Sequence, residues 1–92
     1  MARRAASDDQ LVDLFLDMQA AERGAGKNTL DAYRNDFADL VAHLRAAGRS
    51  VAGATTEDLR GFLAALADRG FKASSVARRL SAARQLFRFL YA

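Results

Sequence analysis

The sequence predicts an all-α domain of four helices paired into two hairpins. Three observations carry that reading. The 92 residues contain no proline. Apolar residues recur at spacings of three and four, with no period-two run of β-branched residues. The chain also repeats itself faintly: a shift of 46 lays Arg23-Gly24 on Arg69-Gly70, Thr29 on Ser75, Leu30 on Val76, and Leu40, Val41 and Leu44 on Leu86, Phe87 and Leu90. At a shift of 48, Leu11, Leu14, Phe15 and Met18 fall on Leu59, Phe62, Leu63 and Leu66. Each hairpin alone would leave an apolar face in water, so the two should pack on each other.

Ser7 opens the first helix, with Gln10 three residues on to complete a capping box and Asp8 and Asp9 suited to the positive end. Its predicted inner stripe is Leu11, Leu14, Phe15 and Met18, and Arg23-Gly24-Ala25-Gly26 stops it. The second helix runs from Gly26–Asn28 to about Ala47, with either Gly26 or Asn28 as its cap and Leu30, Tyr33, Phe37, Leu40, Val41 and Leu44 inward. Gly48 closes it, and Val51 in the following loop is expected to tuck in. Thr55 and Asp58 form a second cap, opening a helix with Leu59, Phe62, Leu63 and Leu66 inward. Gly61 lies inside that helix at a cost of ~1 kcal/mol relative to Ala, which reads as a close approach of another helix, with a tolerated blemish as the alternative. Gly70 ends it, and the fourth helix starts around Lys72–Ser74, with Val76, Leu80, Ala83, Phe87 and Leu90 as its stripe.

Residues 1–7 read as a flexible N-terminus and 8–92 as one domain with one modest core. About half the residues are hydrophobic, yet no run approaches the ~20 apolar residues of a membrane span. Arg3 and Arg4 precede no apolar region, so a secretory signal is not expected. Without cysteine there are neither disulfides nor thiolate ligands or nucleophiles. The natural compartment is the cytoplasm.

Net charge is only +3, but its distribution is polar. Ser7 to Glu22 carries Asp8, Asp9, Asp13, Asp17 and Glu22 without a base, whereas Phe71 to Ala92 carries Lys72, Arg78, Arg79, Arg84 and Arg88 without an acid. Such polarisation steers a polyanion onto one side of a small domain. Arg78 and Arg88 project opposite the last helix's stripe, with Ser74, Ser81 and Gln85 among them, while Arg79 falls at the core edge.

No catalytic constellation emerges. His43, the only histidine, has no metal-ligand spacing around it and reads as a surface residue. The acids occupy helix starts and outer faces. Tyr33 and Tyr91 sit on or beside the stripes and read as core residues. No glycine-rich phosphate loop follows a strand.

Binding is better supported. Asn28 and Asn35 point away from the second helix's stripe, with Lys27 and Thr29 in its first turn, and Lys72, Ser74 and Ser75 repeat the arrangement on the fourth helix. Helix N-termini offer free N–H groups to phosphate. Asn, Gln, Ser and Arg can hydrogen-bond base edges in the major groove. Taken singly, each of these residues reads as a solvated helix face. Together with the acid-free last helix, they point to nucleic acid.

Two segments carry a family resemblance. GKNTLDAYRNDF at 26–37 resembles the Thr-x-x-x-Tyr-Arg-x-Asp segment of tyrosine recombinases and phage-type integrases. KASSVARRLSAARQLFRFLY at 72–91 resembles their Ser/Thr-x-x-x-Arg-x-Leu-Ser-Ala-x-Arg helix, and LVDLFLDMQAAERGAGKNTL resembles the start of Xer-type members. The likeness covers about residues 8–91. It implies the N-terminal core-binding domain, a SAM-like four-helix bundle of two packed helical hairpins. Such a domain forms half of a C-shaped clamp on double-stranded DNA, its second and fourth helices facing the major groove. By position, the resemblance implies DNA-facing roles for Asn28, Thr29 and Asn35, and for Ser74, Ser75, Arg78 and Ser81. Lys27, Arg34, Lys72 and Arg84 would contact phosphate, and Tyr33 and Asp36 would hold the hairpin together. Ala73 stands where relatives often carry proline near the start of the fourth helix.

The family's chemistry needs a C-terminal domain with a nucleophilic tyrosine, and the sequence stops before it; Tyr91 is not that nucleophile. The expectation is therefore a non-enzymatic DNA-binding piece of a recombinase, needing no cofactor and no metal, whose further partners are other recombinase protomers. The competing reading is a helical protein–protein interaction module.

Overall fold

The computed structural model describes residues 7–91. Four helices follow in order: α1 Asp8–Arg23, α2 Lys27–Ala46, α3 Thr56–Asp68 and α4 Ala73–Tyr91. Among the described residues there is no strand. α2 and α4 each pack against the other three helices, and α1 and α3 lie apart. The expected flexible N-terminus falls, apart from Ser7, outside the described residues.

Local chemistry sets the helix ends. The Ser7 hydroxyl accepts from the Gln10 N–H at 3.2 Å, and Gln10 Oε1 accepts from the Ser7 N–H at 2.8 Å. Thr55 and Asp58 form the same reciprocal box on α3. Gly26, extended, is the residue that caps α2. Gly24 and Gly70 both take left-handed φ (63° and 89°), so the 46-residue repeat places the same stop at both hairpin turns. The Ala25 N–H then reaches the Gln19 carbonyl and the Phe71 N–H the Leu66 carbonyl, each at 3.1 Å.

The core is built on Phe15, Phe37, Leu40, Leu44, Val51, Leu66 and Leu86. The Phe15 ring meets Tyr33, Phe37 and Phe89 edge-on at 5.4, 5.4 and 5.7 Å, joining α1 to α2 and α4. Val51 does tuck inward, and its N–H donates to the buried Asp8 carboxylate at 2.9 Å, tying the α2–α3 loop to the start of α1.

Four expectations need correcting. Leu14 is 54% exposed; the inner face of α1 is Val12, Phe15, Leu16 and Gln19, because α2 and α4 approach from that side. On α4 the deepest residues are Ala82, Ala83 and Leu86, whereas Phe87 and Leu90 are half-buried. With three neighbours, α4 buries a band wider than one stripe. His43 is no free surface residue: it is half-buried with its ring 5.5 Å from Phe62. A Cβ at Gly61 would meet the His43 Nε2 at 3.6 Å, an ordinary van der Waals separation, so the expected close approach of another helix is not what requires glycine there. Tyr91 is exposed, its ring stacked on Phe87 and its hydroxyl donating to the Ala52 carbonyl at 2.5 Å.

Candidate nucleic-acid interface

The helix starts differ in kind. α1 and α3, the first helices of their hairpins, have side-chain caps and acids in the first turn. α2 has no side-chain cap, and neither α2 nor α4 has an acid in its first turn. The α2 first-turn amides therefore stay unclaimed by any capping side chain, and the positive ends of both helices meet no carboxylate there. The side chains at these ends, Lys27, Asn28, Thr29, Lys72 and Ser74, are exposed; Ser75 is half-buried. Lys27 salt-bridges Asp31 at 2.8 Å, and that bond and charge raise its pKa above the ordinary lysine value.

Where α2 and α4 run side by side, a recess of about 380 Å³ gathers four predicted residues: Asn28 and Thr29 from α2, Arg78 and Ser81 from α4. Asp36 and Tyr33 also line it. Asp36 is only 5% exposed, and its Oδ2 accepts from Arg78 Nη1 at 2.6 Å. Arg79, 12% exposed, places its Nε 3.8 Å from Asp36 Oδ1 and its Nη1 on Asp39, with its guanidinium over the Phe71 ring. The Tyr33 hydroxyl donates to Gln85 Oε1 at 3.1 Å. Tyr33 and Asp36 thus hold α2 to α4, joining the two hairpins rather than closing one. The sequence could not distinguish these because both pairings span more than 40 residues.

On the other flank of α4, facing α1, a wider groove of about 910 Å³ has Phe15, Met18, Leu80 and Phe89 among its lining. Arg23, Arg84 and Arg88 border it with Ser81 and Gln85. Among the described residues Lys72, Arg84 and Arg88 have no acid within ion-pairing distance, in contrast to Lys27, Arg34 and Arg78. Ser81, at the border of recess and groove, belongs to both.

The remaining predicted residues divide. Asn35 lies on the same side of α2 as Asn28, two turns on, by helical projection. Arg34 does not join them: it borders the α1–α2 side and pairs with Asp13 at 3.3 Å. Arg88 and Gln85, to which the resemblance assigns no DNA contact, line the same groove as Arg84 and Ser81, and the four follow one another at helical spacing. No cluster of three or more His, Cys, Asp or Glu side chains suited to a metal occurs among the described residues. No described helix is long and apolar enough to cross a membrane.

Residues 12–92 match the family described as phage integrase, N-terminal SAM-like domain. The chain is 61% identical over 84 residues to the tyrosine recombinase XerD of Bradyrhizobium diazoefficiens, covering 91% of this chain and 26% of that protein. It is 53% identical over 81 residues to XerD of Rhizobium meliloti (88% and 26%), and 49% over 87 residues to XerD of Agrobacterium fabrum (95% and 26%). The chain thus spans about a quarter of the length of these curated relatives. No solved structure matches it. On the strength of the family match over residues 12–92, the chain belongs to the phage integrase N-terminal SAM-like domain family.

Proposed function

We propose that residues 8–92 act as the core-binding, DNA-binding part of a site-specific tyrosine recombinase, resting on a duplex half-site through α2 and α4. One observation carries the reading: neither α2 nor α4 has an acid in its first turn, Asn28 and Thr29 share a recess with Arg78 and Ser81 of α4, and Ser81 also lines the neighbouring groove that Arg84 and Arg88 border. Lys72, Arg84 and Arg88 are the first-rank phosphate contacts, because a cation with no acid beside it gains most from a phosphate. Lys27 joins them, since its exposed pair with Asp31 is easily exchanged. Asn28, Thr29, Asn35, Ser74, Ser75, Arg78 and Ser81 face base edges and sugar–phosphate. Arg34 would reach DNA only by leaving Asp13. Strand exchange would be carried out by another part of the recombinase, with further protomers assembled on the same DNA in the cytoplasm.

The test is an NMR titration of the chain with a short duplex at two salt concentrations. Shifts should concentrate on α2 and α4, and affinity should fall steeply with salt through counterion release. The double variant Arg84→Ala/Arg88→Ala should lower the magnitude of the logarithmic salt slope by about 2, near one unit per lost phosphate contact. A protein-interaction role has one observation in its favour, the exposed Leu14 between Asp13 and Asp17 on α1. Shifts confined to α1, or none at high duplex concentration, would count against the DNA-binding reading.

A further inference from the structure

We propose that Asp36 is a positioning residue that holds Arg78 as a reader of guanine in the recess between α2 and α4. This rests on the DNA-binding reading above and goes beyond it to the base recognised and the device that recognises it.

Asp36 is nearly buried, and a buried carboxylate persists only where cations and N–H donors compensate its lost hydration. Arg79 supplies part of that compensation, but its guanidinium is shared with Asp39, and its buried Nε has no hydrogen-bond partner among the described residues. The short bond to Asp36 comes instead from Arg78, whose side chain is 55% exposed. Of the five N–H donors of a guanidinium, the bond to Asp36 uses one. The rest of the group borders the recess, beside Asn28, Thr29 and Ser81.

This arrangement suits a base better than a phosphate. An arginine whose charge is already matched by a carboxylate gains little from a second anion, and that carboxylate repels the phosphate oxygens. Base reading depends instead on donors fixed in direction, and the planar arginine fork matches the O6 and N7 acceptors of guanine. Tethering to Asp36 removes the rotamer freedom that would otherwise be lost on binding. Gln85, held by the Tyr33 hydroxyl in the same recess, is a second polar group restrained from α2. Arg84 and Arg88, in no ion pair among the described residues, have the opposite character.

The experiment selects duplexes from a randomised library with the 92-residue chain at low salt, using wild type, Arg78→Lys and Asp36→Asn. The wild type should enrich guanine at one position. Both variants should lose that preference by about tenfold or more, at that position alone. Circular dichroism verifies that each variant is folded. Should Asp36→Asn fail to fold, Asp36→Glu, which keeps the charge but displaces it by one methylene, takes its place with the same expectation. A scaffold role for Asp36 would weaken preference at every position together, and that result overturns the inference. So does a guanine preference unchanged in both variants, or retained duplexes with no guanine-specific position. Failure of the wild type to retain any duplex overturns the DNA-binding reading itself, and the inference with it.

Discussion

Toward α1, α4 offers an apolar floor of Leu80 and Phe89 against Phe15 and Met18, with Glu22, Arg84 and Arg88 at the border and neither of these two arginines in an ion pair among the described residues. Toward α2 it offers charge: Arg78 and Arg79 grip Asp36 and Asp39, and Tyr33 holds Gln85. The first flank gets its strength from apolar burial, which needs no direction and leaves its cations free. The second gets its register from bonds that work only in one geometry. A helix meant to present polar groups in fixed places benefits from having both, since packing alone would let it slide or roll.

The largest effect should come from the first flank. Phe15→Ala removes a fully buried ring that contacts three other aromatic rings, and should cost ~3–5 kcal/mol in chemical denaturation. Phe87, the core truncation that the periodicity suggests, is half-buried and should cost clearly less. If the two variants unfolded at the same denaturant concentration, the apolar hold would be centred on the α3 side instead.

Asp36→Ala tests the second flank. Stripping one partner from a fully buried ion pair costs ~3–5 kcal/mol. Here Arg79 keeps Asp39 and Arg78 is half-exposed, so about 1–3 kcal/mol is expected, near the cost of an unsatisfied buried donor. Asp36→Ala combined with Arg79→Ala should cost less than the sum of the single changes, because each removes the other's partner. A strictly additive pair would mean that the 3.8 Å contact contributes nothing.

These two flanks also divide what the sequence discloses. Helix number, the capping boxes at Ser7 and Thr55 and the stops at Gly24 and Gly70 are local, set by residues within a few positions of one another, and all are legible; the tuck of Val51 is legible as an apolar residue in a polar loop, but not its bond to Asp8, 43 residues away. The exposure of Leu14 is not, because periodicity defines a stripe but not the direction from which neighbours arrive. Asp36 illustrates the deeper limit. Its place in the Tyr-Arg-x-Asp segment marks it, yet its role depends on Arg78, 42 residues away, and on a burial that no local pattern encodes. Likewise the basic face of α4 is plain in the sequence, while its division into engaged and free arginines depends on where the acids of α2 lie.

A smaller, pH-dependent effect belongs to the α3 cap, away from both flanks. The Thr55 backbone N–H, first, and then the Thr55 hydroxyl and the charges of Arg49 and His43 hold the Asp58 carboxyl below its usual range, against a desolvation that acts the other way. A folded-state value below the unfolded one means that the ionised box stabilises at and above the ordinary carboxylate range. That contribution is lost as pH falls through the folded value. The difference in melting temperature between wild type and Asp58→Asn should therefore be constant near neutrality and shrink below about pH 4. A difference that grew on acidification would contradict the cap.

Gly61→Ala should give the smallest change, with the opposite sign. Periodicity alone reads this glycine as making room for a neighbouring helix, which would make any side chain costly. A Cβ built there meets only His43 Nε2, at 3.6 Å, an ordinary van der Waals separation, and the backbone is not left-handed. What remains is the entropic cost of glycine inside a helix, roughly 0.5–1 kcal/mol relative to Ala. The alanine variant should be more stable by about that amount, with DNA affinity unchanged because the nearest group to the added methyl is His43 of α2 and none of the proposed DNA contacts. A loss of stability would show that α2 and α3 sit closer in solution than His43 allows. The α2–α3 contact would then be a third flank as tightly constrained as the one around Asp36, and charge would no longer be needed to explain the register of the bundle.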